Sequence, residues 1–269
     1  MSKLSAFTDL VRRKGPVQAS RAAARWLWVQ RQARDPELQR LVKTHNQFYF
    51  DLLGVERAAA EAFLEKAAAR ARVTLGPNDS VHQLAFAALA ASGFRPEAVL
   101  ELGTSHGDTT AILAELYPES TIYTVELPDD DPIYERSHPS HDRRNDRAAR
   151  LEAYTNIRSL RINTLWLPKQ ELPDFDLIWL DAGHHFPEVA WDHFYCINKL
   201  KPGGWLFTDD VMKEESKLAR KNPAHFDVWT VLRYLDERLE ENFHMLLKRE
   251  VPQQYVANIK YVGALHIEA

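Results

Sequence analysis

Cysteine is nearly absent: Cys196 is the one thiol among 269 residues. A disulfide within the chain and a cysteine-based metal cluster are thereby excluded. Such usage suits a reducing compartment. Long apolar runs are missing as well. No stretch approaches the ~18 residues that a membrane-spanning helix needs. The opening MSKLSAFTDLVRRKGPVQAS carries no continuous apolar core of the signal-peptide kind. A cytoplasmic location is the expectation. Positive charge is not in excess either: the formal net charge is −4. That removes the global electrostatic case for nucleic acid and favours a small-molecule partner. The dinucleotide fingerprint G-x-G-x-x-G does not occur around Gly103 and Gly107, which are separated by Thr104, Ser105 and His106.

What is present fits a soluble globular protein, 45% hydrophobic and 27% charged. The length allows one large α/β domain with an extension, or two small domains. Residues 1–75 are read as an N-terminal helical extension, rich in alanine and aromatics at helical spacing. They show no chemistry. Packing or a homo-oligomer interface is the expected role, with a basic amphipathic helix on a membrane surface as the alternative. The segment GPNDS breaks the pattern, and Asp79 or Ser80 is placed to cap a helix from Val81.

Residues 76–269 alternate between strand and helix. AVLEL, TIYTVEL, RSLRINT, FDLIWLDA and WLFTDDV read as strands. TTAILAELY, PEVAWDHFYCINKL and HFDVWTVLRYLDERL read as helices, and LKPGG as a helix stop and turn. Two final strands, FHMLLKREV and IKYVGALHIE, follow. Apolar strands alternating with helices indicate a mostly parallel sheet covered on both faces. The charged stretch 127–150 interrupts this rhythm, either as a lid near the site or as a solvated insertion.

In such sheets ligands bind beyond the carboxyl ends of the strands. The first strand ends VLELGTSHGDTT, with Glu101 just before the glycine loop. An acid there suits a cationic ligand better than a pyrophosphate. The second strand ends in Glu126, whose two oxygens could bind a vicinal diol. VLELGTSHGDTT resembles motif I of class I S-adenosylmethionine-dependent methyltransferases. The stretch FDLIWLDAGHHFPEVAWDHFYCINKLKPGGWLFTDDV is similar to a metal-dependent O-methyltransferase subgroup, the catechol-type and macrolide-sugar enzymes. The resemblance covers roughly 80–269 and departs at Ala182, usually glycine, and at Asp210, asparagine in the catechol enzymes. It implies a Rossmann-like sheet with a reversed final strand. It implies S-adenosyl-L-methionine on Glu101, Gly103, Ser105, Gly107, Thr109, Glu126, Asn163 and Asp181.

Asp181, Asp209 and Asp210 fall at the ends of two strands expected to be neighbours. Three carboxylates without a counter-charge would repel one another. A hard divalent ion such as Mg²⁺ would resolve that conflict, and the resemblance assigns the same three positions to metal. His184, three residues past Asp181, matches the general base of the macrolide-sugar enzymes; His185 beside it is the alternative. His184 and Asp181 are thus the expected catalytic pair. The reading is O-methylation of a small hydroxylated acceptor. N-methylation, a nicotinamide-dependent oxidoreductase and an inactive binding module remain as competitors.

Overall fold

The computed structural model describes residues 16–76, 79–132, 142–212, 223–239, 242–257 and 259–268. Its described residues form two compact units, one of 16–45 with 250–257 and 259, the other of 46–249 with 260–268.

In the smaller unit, α1 (Pro16–Gln32) and α2 (Pro36–Thr44) pack with α10 (Pro252–Ala257). Asp35 caps α2 by accepting from the Glu37 amide at 2.8 Å, and Pro36 opens the helix where no amide partner is needed.

The larger unit is built on a seven-stranded sheet. The strands are β1 (Ala98–Leu102), β2 (Thr121–Glu126), β3 (Ile157–Arg161), β4 (Phe175–Leu180), β5 (Leu200–Val211), β6 (Asn242–Leu247) and β7 (Tyr261–His266). Their order is β3-β2-β1-β4-β5-β7-β6, parallel except for β7, which runs antiparallel to both neighbours. Apolar side chains point both ways, as burial on two faces requires. Val99, Leu177, Trp179, Trp205 and Phe207 face one layer. Leu100, Leu102, Ile178, Leu180 and Leu206 face the other, with Cys196 among them.

The first layer contains α3 (Gln47–Leu53), α4 (Arg57–Ala71), α5 (His82–Ala91) and α6 (Asp108–Leu116). Tyr49 and Phe50 of α3 are fully buried there, and Tyr49 meets the Trp205 ring edge-on at 5.8 Å. Ala67, Ala68 and Ala71 of α4 pack on Ala111 and Ile112 of α6. By contact these two helices therefore group with the sheet, so the unit boundary falls after His45, where the sequence reading ended the extension at residue 75. Helix α8 (Glu188–Lys199) packs on β4 and β5, and α9 (Pro223–Leu239) on α8 and β5. Helix α7 (Asp142–Leu151) occupies part of the 127–150 stretch, whose residues 133–141 lie outside the described set.

Two local expectations are corrected. The KPGG turn is part of β5, which begins at Leu200 paired with Phe175 and absorbs the glycines in a register shift. Asp79 does not cap α5. Its carboxylate instead accepts from the Gly76 amide at 2.6 Å, and the helix starts after Val81 without a side-chain cap.

Candidate functional site

Backbone hydrogen bonds hold the start of the glycine loop against the ends of β4 and β2. The Asp181 amide donates to Leu102 O at 2.8 Å and the Gly103 amide to Val125 O at 2.9 Å. Gly103 has φ +100°, and a Cβ there would lie 2.2 Å from Asp181 O. Only glycine permits this approach. Beyond it opens a cavity of about 270 Å³, with Gly103, Ser105, Glu126, Asn163 and Asp181 in its wall. Five of the residues implied for the cofactor are thus brought together.

Glu126 is held in place by two backbone amides. Its Oε2 accepts from the Ser105 amide at 2.8 Å and its Oε1 from the Leu127 amide at 3.1 Å. Behind it stands Arg147 of α7, buried, 3.9 Å from Glu126 Oε2 and 2.7 Å from Asp129 Oδ1. Part of the charged insertion therefore supports the loop carboxylate. Asn163 lines the cavity while its Oδ1 accepts from the Leu165 amide at 3.0 Å, opening the 3-10 turn Thr164–Lys169.

Glu101, Gly107 and Thr109 do not enter the cavity wall. Strand alternation turns Glu101 toward α6, where Oε2 accepts from Thr110 and, at 2.6 Å, from Thr124. Its Oε1 has no hydrogen-bond partner among the described residues, and burial pushes the acid up to about 7. Gly107 caps α6 at φ +79° and faces Leu151. Thr109 shares a 3.1 Å hydrogen bond with His82, whose ring stacks on Trp179 at 4.5 Å.

At the rim, Asp181, His184 and Asp209 each offer one ligand atom, and these atoms lie within 4.8 Å of one another. His184 Nε2 is 3.8 Å from Asp181 Oδ1. Desolvation holds His184 below its ordinary range despite the pull of Asp210 and Asp209. Desolvation and then the Asp209 carboxylate push the Asp181 acid well up. His185 is turned away, with its Nδ1 3.9 Å from Asp227 Oδ2 of α9.

Asp210 is not with that trio. It sits in a register shift between Thr208 and Val211, at φ +55°, so two successive carboxylates of β5 can approach one cation. That cation is Lys248, just past β6. Its Nζ is 2.5 Å from Asp209 Oδ2 and 2.6 Å from Asp210 Oδ1. Lys260, just before β7, reaches Asp210 Oδ2 at 2.7 Å. Burial alone would raise the Asp210 acid, but the two ammonium groups hold it well below the carboxylate range.

Sequence reasoning missed both lysines, because their partnership depends on the β5-β7-β6 order. It also missed Asp192 of α8, a cavity-lining carboxylate with Oδ1 unpartnered and its acid pushed up to about 7 by burial. Its place in a helix that reads as ordinary packing gave no local signal.

The strand order, with its reversed β7, is that of a Rossmann-like sheet of the kind found in solved methyltransferase structures. Residues 100–211 match the family model described as "Methyltransferase domain". None of the curated proteins matches the chain. Among solved structures, cofactor-bound Rv0187 from MTB is 17% identical, covering 78% of this chain and 90% of that one at TM-score 0.55. The O-methyltransferase TomG from Streptomyces achromogenes, in complex with SAM, is 16% identical over 78% and 90%, at 0.52. An O-methyltransferase from Bacillus cereus in complex with SAH is 14% identical over 84% and 99%, at 0.50. At these identities the likeness is one of fold.

Proposed function

We propose that this chain transfers a methyl group from S-adenosylmethionine to a hydroxyl of a small molecule. The observation that carries it is the continuity of one cavity, from Glu126 and the Gly103 loop to Asp181, whose Oδ1 lies 3.8 Å from His184 Nε2. Glu126 would take the ribose hydroxyls, and the loop amides the methionine end. The acceptor oxygen attacks the methyl carbon, the C–O bond forms, and the C–S bond breaks with its electron pair going to sulfur. The hydroxyl proton passes to His184. An oxygen acceptor is favoured over an amine because the rim supplies a proton acceptor where an alcohol needs one.

The exposed Trp26, Leu27 and Trp28 of α1 support the subunit-interface reading of the N-terminal helices, which the mass of the chain in solution tests. No helix among the described residues is long and apolar enough to cross a membrane.

The test of the main reading is calorimetry with S-adenosylhomocysteine. Saturable binding that falls roughly tenfold to a hundredfold in Glu126→Ala supports it, the size of a lost charge-assisted pair. Preference for a nicotinamide dinucleotide would overturn it.

A further inference from the structure

The resemblance implies a divalent cation on Asp181, Asp209 and Asp210, and the argument for it was a missing counter-charge. In the folded chain that counter-charge is present. Lys248 and Lys260 stand on Asp209 and Asp210 at 2.5–2.7 Å, so two carboxylates meet two ammonium groups. The geometry also breaks the expected ligand set, because the Asp210 carboxylate is held by Lys248 and Lys260 and falls outside the 4.8 Å grouping of Asp181, His184 and Asp209. What remains is one imidazole and two carboxylates, one of them already bonded to Lys248. A divalent ion on Asp209 Oδ1 would stand across a single carboxylate from that ammonium, at a separation of about 5 Å or less, where like charges near a protein surface repel by several kcal/mol. Mg²⁺ is held through one or two carboxylates with waters completing its shell, and here one of the two carboxylates is already engaged by the Lys248 ammonium.

We propose that Lys248 takes the place of the divalent cation, and that this chain's acceptor rim works without metal. The inference rests on the methyl-transfer reading for its meaning. Lys248 is a positioning residue: it fixes Asp209 and Asp210 and supplies the positive charge beside Asp181 and His184. Its place is set by the sheet. Lys248 N donates to Lys260 O at 2.9 Å, which fastens the ends of β6 and β7 together at the carboxyl ends of the parallel strands. A lysine at each of those two ends therefore meets the aspartates of β5.

The probe is Mn²⁺ alone, titrated into the full chain and followed by electron paramagnetic resonance. The parent should show no saturable binding up to about 1 mM, the weak limit for carboxylate sites of hard cations. Lys248→Met, which keeps the stem and removes the charge, should gain one site at least about tenfold tighter than that limit. Lys248→Arg should gain none. One tightly held Mn²⁺ per parent chain, lost in Asp209→Asn, would overturn the proposal. So would a folded Lys248→Met that still binds no ion. If Lys248→Met does not fold, the parent titration and its Asp209→Asn control decide alone. Calorimetry with S-adenosylhomocysteine on the same samples separates the two ideas, because failure to bind it defeats the methyl-transfer reading whatever Mn²⁺ does.

Discussion

Gly103 is the position where one added methyl group has the largest consequence. Alanine there would combine a left-handed φ with a 2.2 Å collision against the Asp181 carbonyl. The strained backbone alone costs about 1–3 kcal/mol, and relief would push the β1 loop off the end of β4. Gly103→Ala is expected to lower the melting temperature and to abolish S-adenosylhomocysteine binding in calorimetry. Glu101 supplies a pH signature. Burial raises its acid from 4.5 to about 7, so between those values the folded chain holds a proton that the unfolded chain has released. Stability contributed by the protonated acid is therefore complete below about 4.5 and is lost as pH rises toward about 7. At 1.36 kcal/mol per pH unit, the loss amounts to about 3 kcal/mol. Glu101→Gln should flatten the melting temperature across that window, measured without cofactor. His184→Ala should lower kcat by about 10²–10⁴-fold, the range for a lost general base, while S-adenosylhomocysteine affinity stays at the parent value.

Among the elements, the edge strand β6 shows how the larger unit protects exposed backbone. Asn46, at the head of α3, is fully buried. Its Nδ2 donates to Leu247 O at 3.1 Å, and its Oδ1 accepts from the Leu247 amide at 2.6 Å. One side chain thus plays the part of a missing neighbouring strand. Asn46→Ala should cost about 2–4 kcal/mol, because two buried backbone groups lose their partners; chemical denaturation measures it. The strands were legible in the sequence because they read as short, nearly continuous apolar runs, as in Ala98–Leu102 and Phe175–Leu180. The glycine loop was legible because its strain is written in residue type. The start of β5 was not, because Leu200 extends only by virtue of pairing with Phe175. Lys248 was illegible for the same reason: its partner Asp209 lies 39 residues away and is brought to it by the β5-β7-β6 order.

Taken together, the units set where the chain can be cut. Tyr49, Phe50, Ala60 and Ala67 belong to the core of the larger unit although they fall in the helical stretch before residue 75. A chain starting at residue 46 should keep S-adenosylhomocysteine binding and a cooperative melt. One starting at residue 76 should lose both, since it strips the buried ring of Tyr49 from Trp205 and Phe207. Retained binding by the shorter chain would show that α3 and α4 are dispensable.

Because β7 lies between β5 and β6, the seventh strand in chain order is needed in the middle of its half of the sheet. On the ribosome, β6 emerges with no place to dock, and the β5 edge stays open until residues 261–266 arrive. The half that carries Glu126 and the Gly103 loop has all its strands by then. A nascent chain would therefore pass through a stage in which the cofactor half has closed while Asp209 and Asp210 still face the medium, awaiting Lys260. Chains stopped short of β7 would present that open edge to the cell's proteases and chaperones.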